Sequence, residues 1–155
     1  MDDRAKRFRA WDAMEGRQEI VSPETVLPEY DLVFFLLETI PGLDLSAFYK
    51  YYSTDGRGQP PFSIEMMTTL LVYSYSVGVF SSRKIAAACE RNLAFLAIVG
   101  RDRPDFRTIS DFRKHHAAAM RPLFIEVLRL AGEVGMVKLS SSKNRRHRRV
   151  AVMRS

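Results

Sequence analysis

An all-α domain is the fold class this sequence predicts, and three observations predict it. Apolar residues recur at helical spacing in successive blocks between Tyr30 and Val134. Those blocks open on Ser, Asp or Thr suited to N-caps and close on Gly or Asn suited to helix ends. No convincing strand pattern precedes Met136-Val137-Lys138-Leu139. The chain has 155 residues, 46% of them hydrophobic, with only 8 Gly and 7 Pro, which suits a single buried core. The expected organisation is a flexible lead-in over 1–25, a compact multi-helix domain over 26–139 and a disordered basic tail over 140–155.

Residues 1–25 mix Arg4, Lys6, Arg7, Arg9 and Arg17 with scattered acids and little periodicity, as a frayed helix or mobile lead-in would. From Tyr30 to Ile40, Leu32, Phe35, Leu36 and Thr39 share helical spacing, and Pro41-Gly42 ends the run. Asp44 is placed to cap a short helix with Leu45, Phe48, Tyr49 and Tyr52 on one stripe. Tyr49, Tyr51 and Tyr52 have rings able to stack on bases, yet aromatic residues at this spacing more often fill a core. Ser53 to Phe62 carries every turn signal. Its Gly56-Arg57-Gly58 follows no strand and lacks the Gly-Lys-Ser/Thr ending of a nucleotide-binding loop.

Ser63 reads as the cap of a long helix through Val77, apolar nearly all round, which marks it as the central helix, and Gly78 ends it. Ser81 or Ser82 caps the next, with Ile85, Ala86, Ala88 and Cys89 inward and Arg83, Lys84, Glu90 and Arg91 outward. Asn92 stops it, and Leu93 to Val99 forms a short apolar helix closed by Gly100. Pro104 biases Arg103 toward an extended backbone, and Thr108, with Asp111 three residues on, reads as the next cap. Short helices in such close succession have the rhythm of a helix-turn-helix unit. After His116 an alanine run continues the helix, and Pro122 suits the first turn of a last one, ended by Gly135.

The stretch Arg103-Pro104-Asp105-Phe106-Arg107-Thr108-Ile109-Ser110-Asp111-Phe112-Arg113, the segment Ser81-Ser82-Arg83-Lys84-Ile85 and the run Val137-Lys138-Leu139 together carry a resemblance. In order and spacing, residues from about Val26 to Leu139 resemble the N-terminal helical domain of InsH-type insertion-sequence transposases of the three-carboxylate (DDE) class. The resemblance implies a domain for DNA binding or transposase assembly. In that family the first catalytic Asp lies in an Asp-Gly-Thr segment just after Val-Lys-Leu. Ser140-Ser141-Ser142 stands there instead, and no Asp or Glu follows Glu133. Strand transfer needs carboxylates converging on paired divalent ions. The chain is therefore expected to be a truncated or frameshifted transposase, not an enzyme in itself, with no cofactor.

Other chemistry finds little footing. Asp105 and Asp111 suit a helix N-terminus. His115 and His116, being adjacent on a helix, point about 100 degrees apart, and no Cys or His lies at ligand spacing from them. Ser81, Ser82, Ser140, Ser141 and Ser142 lack a nucleophile motif. Cys89, the single cysteine, excludes an internal disulfide and reads as a small core residue in a reducing compartment. Met1 to Arg9 has no apolar run after its charges, and no segment reaches the roughly 18 apolar residues of a membrane span. A cytoplasmic protein without a membrane partner is expected.

The net charge is +6, but seven of the 24 basic residues fall in 138–155, leaving 17 against 18 acids in the remainder. DNA contacts in the helical domain must therefore be local. The candidates are Arg83, Lys84, Arg107, Arg113 and Lys114, with His115 and His116 behind them; the alternative is a solvated helix face. Lys143, Arg145, Arg146, Arg148 and Arg149 in the tail suit non-specific nucleic-acid attachment. If all seven charges engage duplex phosphates, the log–log salt slope reaches about −6. Two further readings stay open. The domain could pair with itself or with full-length transposase and inhibit it, through apolar surface on helices 30–40 and 63–77, or it could be a relic without function.

Overall fold

The computed structural model describes residues 8–11, 13, 27–29, 31–52, 62–138 and 151–152. The described chain forms helices α1 (Leu32–Thr39), α2 (Ser46–Tyr49), α3 (Ile64–Ser76), α4 (Ser82–Arg91), α5 (Leu93–Val99) and α6 (Phe106–Glu133), with a 3-10 turn at Ile40–Gly42. Two short segments, β1 (Val137–Lys138) and β2 (Ala151–Val152), pair antiparallel, Val137 opposite Val152. The fold is all-α; a two-residue ladder is too short to organise it. The rest of the tail, with its five candidate cations, lies outside the described residues, as does the Ser53 to Pro61 part of the expected loop.

Helix α3 is the axis of the core. Ser63 caps it, its Oγ accepting from Met66 N at 3.2 Å, and ten of the helix's 13 residues are buried. Its buried hydroxyls turn back on their own helix: Thr68 Oγ1 donates to Ile64 O at 2.7 Å, and Ser74 Oγ to Leu70 O at 2.6 Å. No polar group is thereby left dry and unsatisfied at those positions. Around α3 pack α1, α5 and α6. Leu36, Ile64, Leu70, Ile85, Ile98 and Ile109 are each wholly enclosed, every one contributing about 1.5–3 kcal/mol. On helices 30–40 and 63–77, Phe34, Phe35, Leu37 and Tyr75 stay partly exposed. Val77, at the end of the second, is their one large apolar side chain among the strongly exposed described residues.

Helix boundaries follow local chemistry. Asp31 accepts from Val33 N and starts α1. Asp44 Oδ1 takes the Ser46 N–H at 3.0 Å before α2. Ser81 accepts from Lys84 N and starts α4. Asn92 closes α4 and also caps α5, accepting from Ala94 N at 3.0 Å. Gly78, Gly100 and Gly135 take positive φ where the chain leaves α3, α5 and α6.

Two expectations are corrected. The cap of α6 is Asp105, not Thr108: the Asp105 carboxylate accepts from Thr108 N at 2.8 Å, so Thr108 is the donor inside the first turn. Hydrogen bonding from Thr108 also holds the Asp105 carboxyl below its ordinary pKa. Secondly, Pro122 does not begin a helix. It sits inside α6, and the helix breaks its regular geometry at His116 (φ −115°, ψ 15°). Proline removes one backbone donor and crowds the carbonyl four residues back, that of Ala118, so Pro122 does not account for the break at His116. The described residues of the lead-in contact the domain. Trp11 Nε1 donates to Ile98 O at 2.7 Å, satisfying one of the open carbonyls at the end of α5, and Phe8 meets Tyr49 and Tyr52 edge-on, both at 5.3 Å. Its burial energy comes from neighbours distant in sequence.

Candidate nucleic-acid interface

The start of α4 crosses α6, and the sequence candidates gather around that crossing. Arg83 lies over the Phe106 ring, 4.0 Å from its centroid, joining the first turn of α4 to the first turn of α6. Such a stack holds the guanidinium in place and leaves its charge intact. Lys84 is exposed beside it, and Arg107 is exposed on α6, its charge acting on Asp105. Arg113 is half-buried: it donates to Phe80 O at 2.7 Å and to Ser82 Oγ at 3.2 Å, with its guanidinium 5.6 Å from the Tyr75 ring. All three of these partners are neutral.

Beside Arg113 an open groove of about 640 Å³ runs between the end of α3, the start of α4 and the middle of α6. Arg113, Lys114 and Arg121 line it as cations, and Tyr75, Met120 and Phe124 supply its apolar wall. Ser82 and Ser110 add hydroxyls, and among the described residues no carboxylate lines it. Among the described residues, Arg113, Lys114 and Arg121 form no ion pair. Arg103 and Arg129 differ, for Arg103 pairs with Glu90 and Arg129 with Glu126 and Glu133. Such exposed pairs neutralise charge and contribute little to stability.

The two histidines separate. His115 is exposed and stacks on Tyr51, 4.5 Å between centroids, away from the groove. His116 is corrected as a DNA contact: at 2% exposure it lies within the core, against Phe48, Phe112 and Tyr52. Burial, and then the nearby His115, lowers its pKa below the ordinary 6.5. Cys89 is likewise internal, and burial pushes its thiol up to about 12. Among the described residues no cluster of three or more His, Cys, Asp or Glu could hold a metal ion.

Tyr75, Phe80, Arg121 and Phe124 are absent from the sequence candidates. A signal for two of them existed: Ser110, Arg113, Lys114, Ala117, Met120, Arg121 and Phe124 recur at helical spacing along α6 and line the groove on both sides of the break at His116. Expecting a new helix at Pro122 cut that stripe short. Tyr75 lines the groove from the end of α3, and Phe80, brought back by the turn at Gly78 (φ 81°), lies outside the lining and stacks on Tyr75, a contact no spacing rule reveals.

A transposase domain family (DUF772) matches the chain over residues 21–115. The match takes in α1 to α5 and the first segment of α6, more than half the chain, so this protein belongs to that family. Comparison with curated proteins and with solved structures returns no match. Arg83, Lys84, Arg107, Arg113 and Lys114 fall inside the family match; Arg121 and Phe124 lie beyond it. Among the described residues no helix is long and apolar enough to cross a membrane.

Proposed function

We propose that this chain acts as a transposon-end DNA-binding and assembly domain of a transposase and does not itself carry out strand transfer. The observation that carries the reading is the set of cations at the crossing of α4 and α6: Arg83, Lys84, Arg113, Lys114 and Arg121 lie on neighbouring turns without a described acidic partner. Phosphates would be met by Lys114 and Arg121, which are exposed, while Arg113 is held by the Ser82 hydroxyl and the backbone carbonyl of Phe80, and Arg83 by the Phe106 ring. Phosphate contacts of this kind set register, and a few base-edge contacts from the outer face of α4 or α6, in helix-turn-helix fashion, would set sequence preference. Family membership supports the transposase context. Ser140-Ser141-Ser142 in place of the Asp-Gly-Thr of InsH-type enzymes supports the absence of strand-transfer chemistry.

The test is fluorescence anisotropy of the whole chain on a duplex from the element's ends and on a scrambled duplex, across a salt series. Preference for the end sequence, with affinity for both duplexes weakened by Lys114→Ala, supports the reading. Equal binding to both duplexes, unchanged in Lys114→Ala, would leave only non-specific charge and defeat it.

A further inference from the structure

We infer that the groove between α3, α4 and α6 receives an unpaired nucleotide, its base against the aromatic wall and its phosphate on Lys114 and Arg121. This rests on the DNA-binding reading above and adds the form of nucleic acid recognised.

Phosphate binding alone would need only cations on a convex helix face, yet here the cations rim a concavity with aromatic walls. Phe124 lies 6.3 Å from Tyr75 between ring centroids, and Tyr75 lies 6.0 Å from Phe80, nearly parallel at 27°. Phe80 is not part of the lining; it sits beside the groove against Tyr75, 60% exposed, a large apolar ring left in water at the groove's edge. Its carbonyl is held by Arg113 at 2.7 Å, so the ring projects from an anchored backbone. The groove's volume of about 640 Å³ lies within the range of roughly 300–1,000 Å³ typical of small-molecule sites.

Charge selects an anion here, since among the described residues three cations and no carboxylate line the groove. Aromatic faces select a flat, weakly polar partner. A nucleotide joins both properties in one molecule. Base pairs inside a duplex keep their faces stacked on one another and present only edges, so the aromatic wall is of use only to a base outside the helix. A single-stranded extension or an extruded base at a duplex end fits both requirements.

The experiment compares the whole chain on a blunt labelled duplex and on the same duplex with a three-nucleotide single-stranded extension, using fluorescence anisotropy. The extension is expected to tighten binding by at least about fivefold, the lower bound for one base stacked on an aromatic ring. Phe80→Ala removes that gain and leaves blunt-duplex affinity unchanged; Phe80→Leu, which keeps apolar bulk and lacks the π face, also removes it. Circular dichroism melts of both variants confirm the fold. Blunt duplex bound with no gain from the extension overturns the inference and leaves the DNA-binding reading intact, as does a gain that persists in both variants. Failure to bind either DNA overturns both. A mass by light scattering that doubles with concentration and reverts in Phe80→Ala assigns the groove to a second copy of the chain and likewise overturns the inference.

Discussion

The Tyr52 hydroxyl lies 3.1 Å from Nε2 of His116, joining the turn after α2 to the irregular turn of α6 across 64 residues of chain. Burial and the neighbouring Tyr51 push the phenol up to about 12, so it stays protonated throughout the neutral range. Which of the two groups donates depends on the imidazole tautomer. Either way, a neutral His116 keeps the pair hydrogen-bonded in an enclosed place where an imidazolium would be poorly solvated.

Stability should therefore fall on mild acidification. The folded-state pKa of His116 is depressed, so below the ordinary 6.5 the unfolded chain binds more protons than the folded one. Its contribution is fully present above 6.5, declines as pH drops through that value and levels off below the folded pKa. Thermal midpoints at pH 7.5 and 5.5 should differ for the wild type and differ less for His116→Gln. His116→Ala, which also empties a space between Phe48 and Phe112, should cost about 2–4 kcal/mol at pH 7.5 in a urea melt.

Arg113 and Lys114 should part company under mutation. Arg113→Ala breaks the bonds to Phe80 O and Ser82 Oγ and is expected to destabilise the fold by about 1–2 kcal/mol as well as weaken DNA binding. Lys114→Ala should leave the melt unchanged within about 0.5 kcal/mol. If Lys114 contacts one phosphate of duplex DNA, the same change lowers the log–log salt slope by about 0.9. Melts and a salt titration on the same two variants decide the matter.

Capping gives a sharp comparison within one turn. Asp105→Ala should cost about 1 kcal/mol, because Thr108 N loses its acceptor at the mouth of α6. Thr108→Ala keeps that backbone donor and should cost less. Urea midpoints in the opposite order would return the cap to Thr108.

Cys89 should be silent to thiol reagents in the folded protein. It is wholly buried, and its raised pKa leaves almost no thiolate at pH 8. Ellman's reagent should react slowly in buffer and at once in 6 M guanidinium; rapid labelling of the native chain would contradict the packing of α4.

Removing the Trp11 indole donor tests the seat of the lead-in. Trp11→Phe keeps an aromatic ring and abolishes the bond to Ile98 O, for an expected loss of about 1 kcal/mol. An unchanged melt would show that the segment contributes nothing to the fold.

Local chemistry made the helices legible in the chain itself. Ser63, Ser81 and Asn92 act where their side chains reach the next turn's N–H groups, and Gly78, Gly100 and Gly135 end helices by entering positive φ. The apolar period of Ile64 to Ser76 foretold a central helix, and the linked motifs around Arg83 and Arg107 foretold the family. All of these depend on residues within a few positions of one another. Which basic residues share a site was decided only by packing. His115 and His116 are alike in sequence, yet one faces Tyr51 at the surface and the other is enclosed by Phe48, Phe112 and Tyr52. Trp11 finds its acceptor 87 residues away, and Arg113 finds Phe80 at a separation of 33. Sequence spacing carries the phase of a helix; the partner of a side chain depends on how the helices cross, and that angle is settled by the whole core at once.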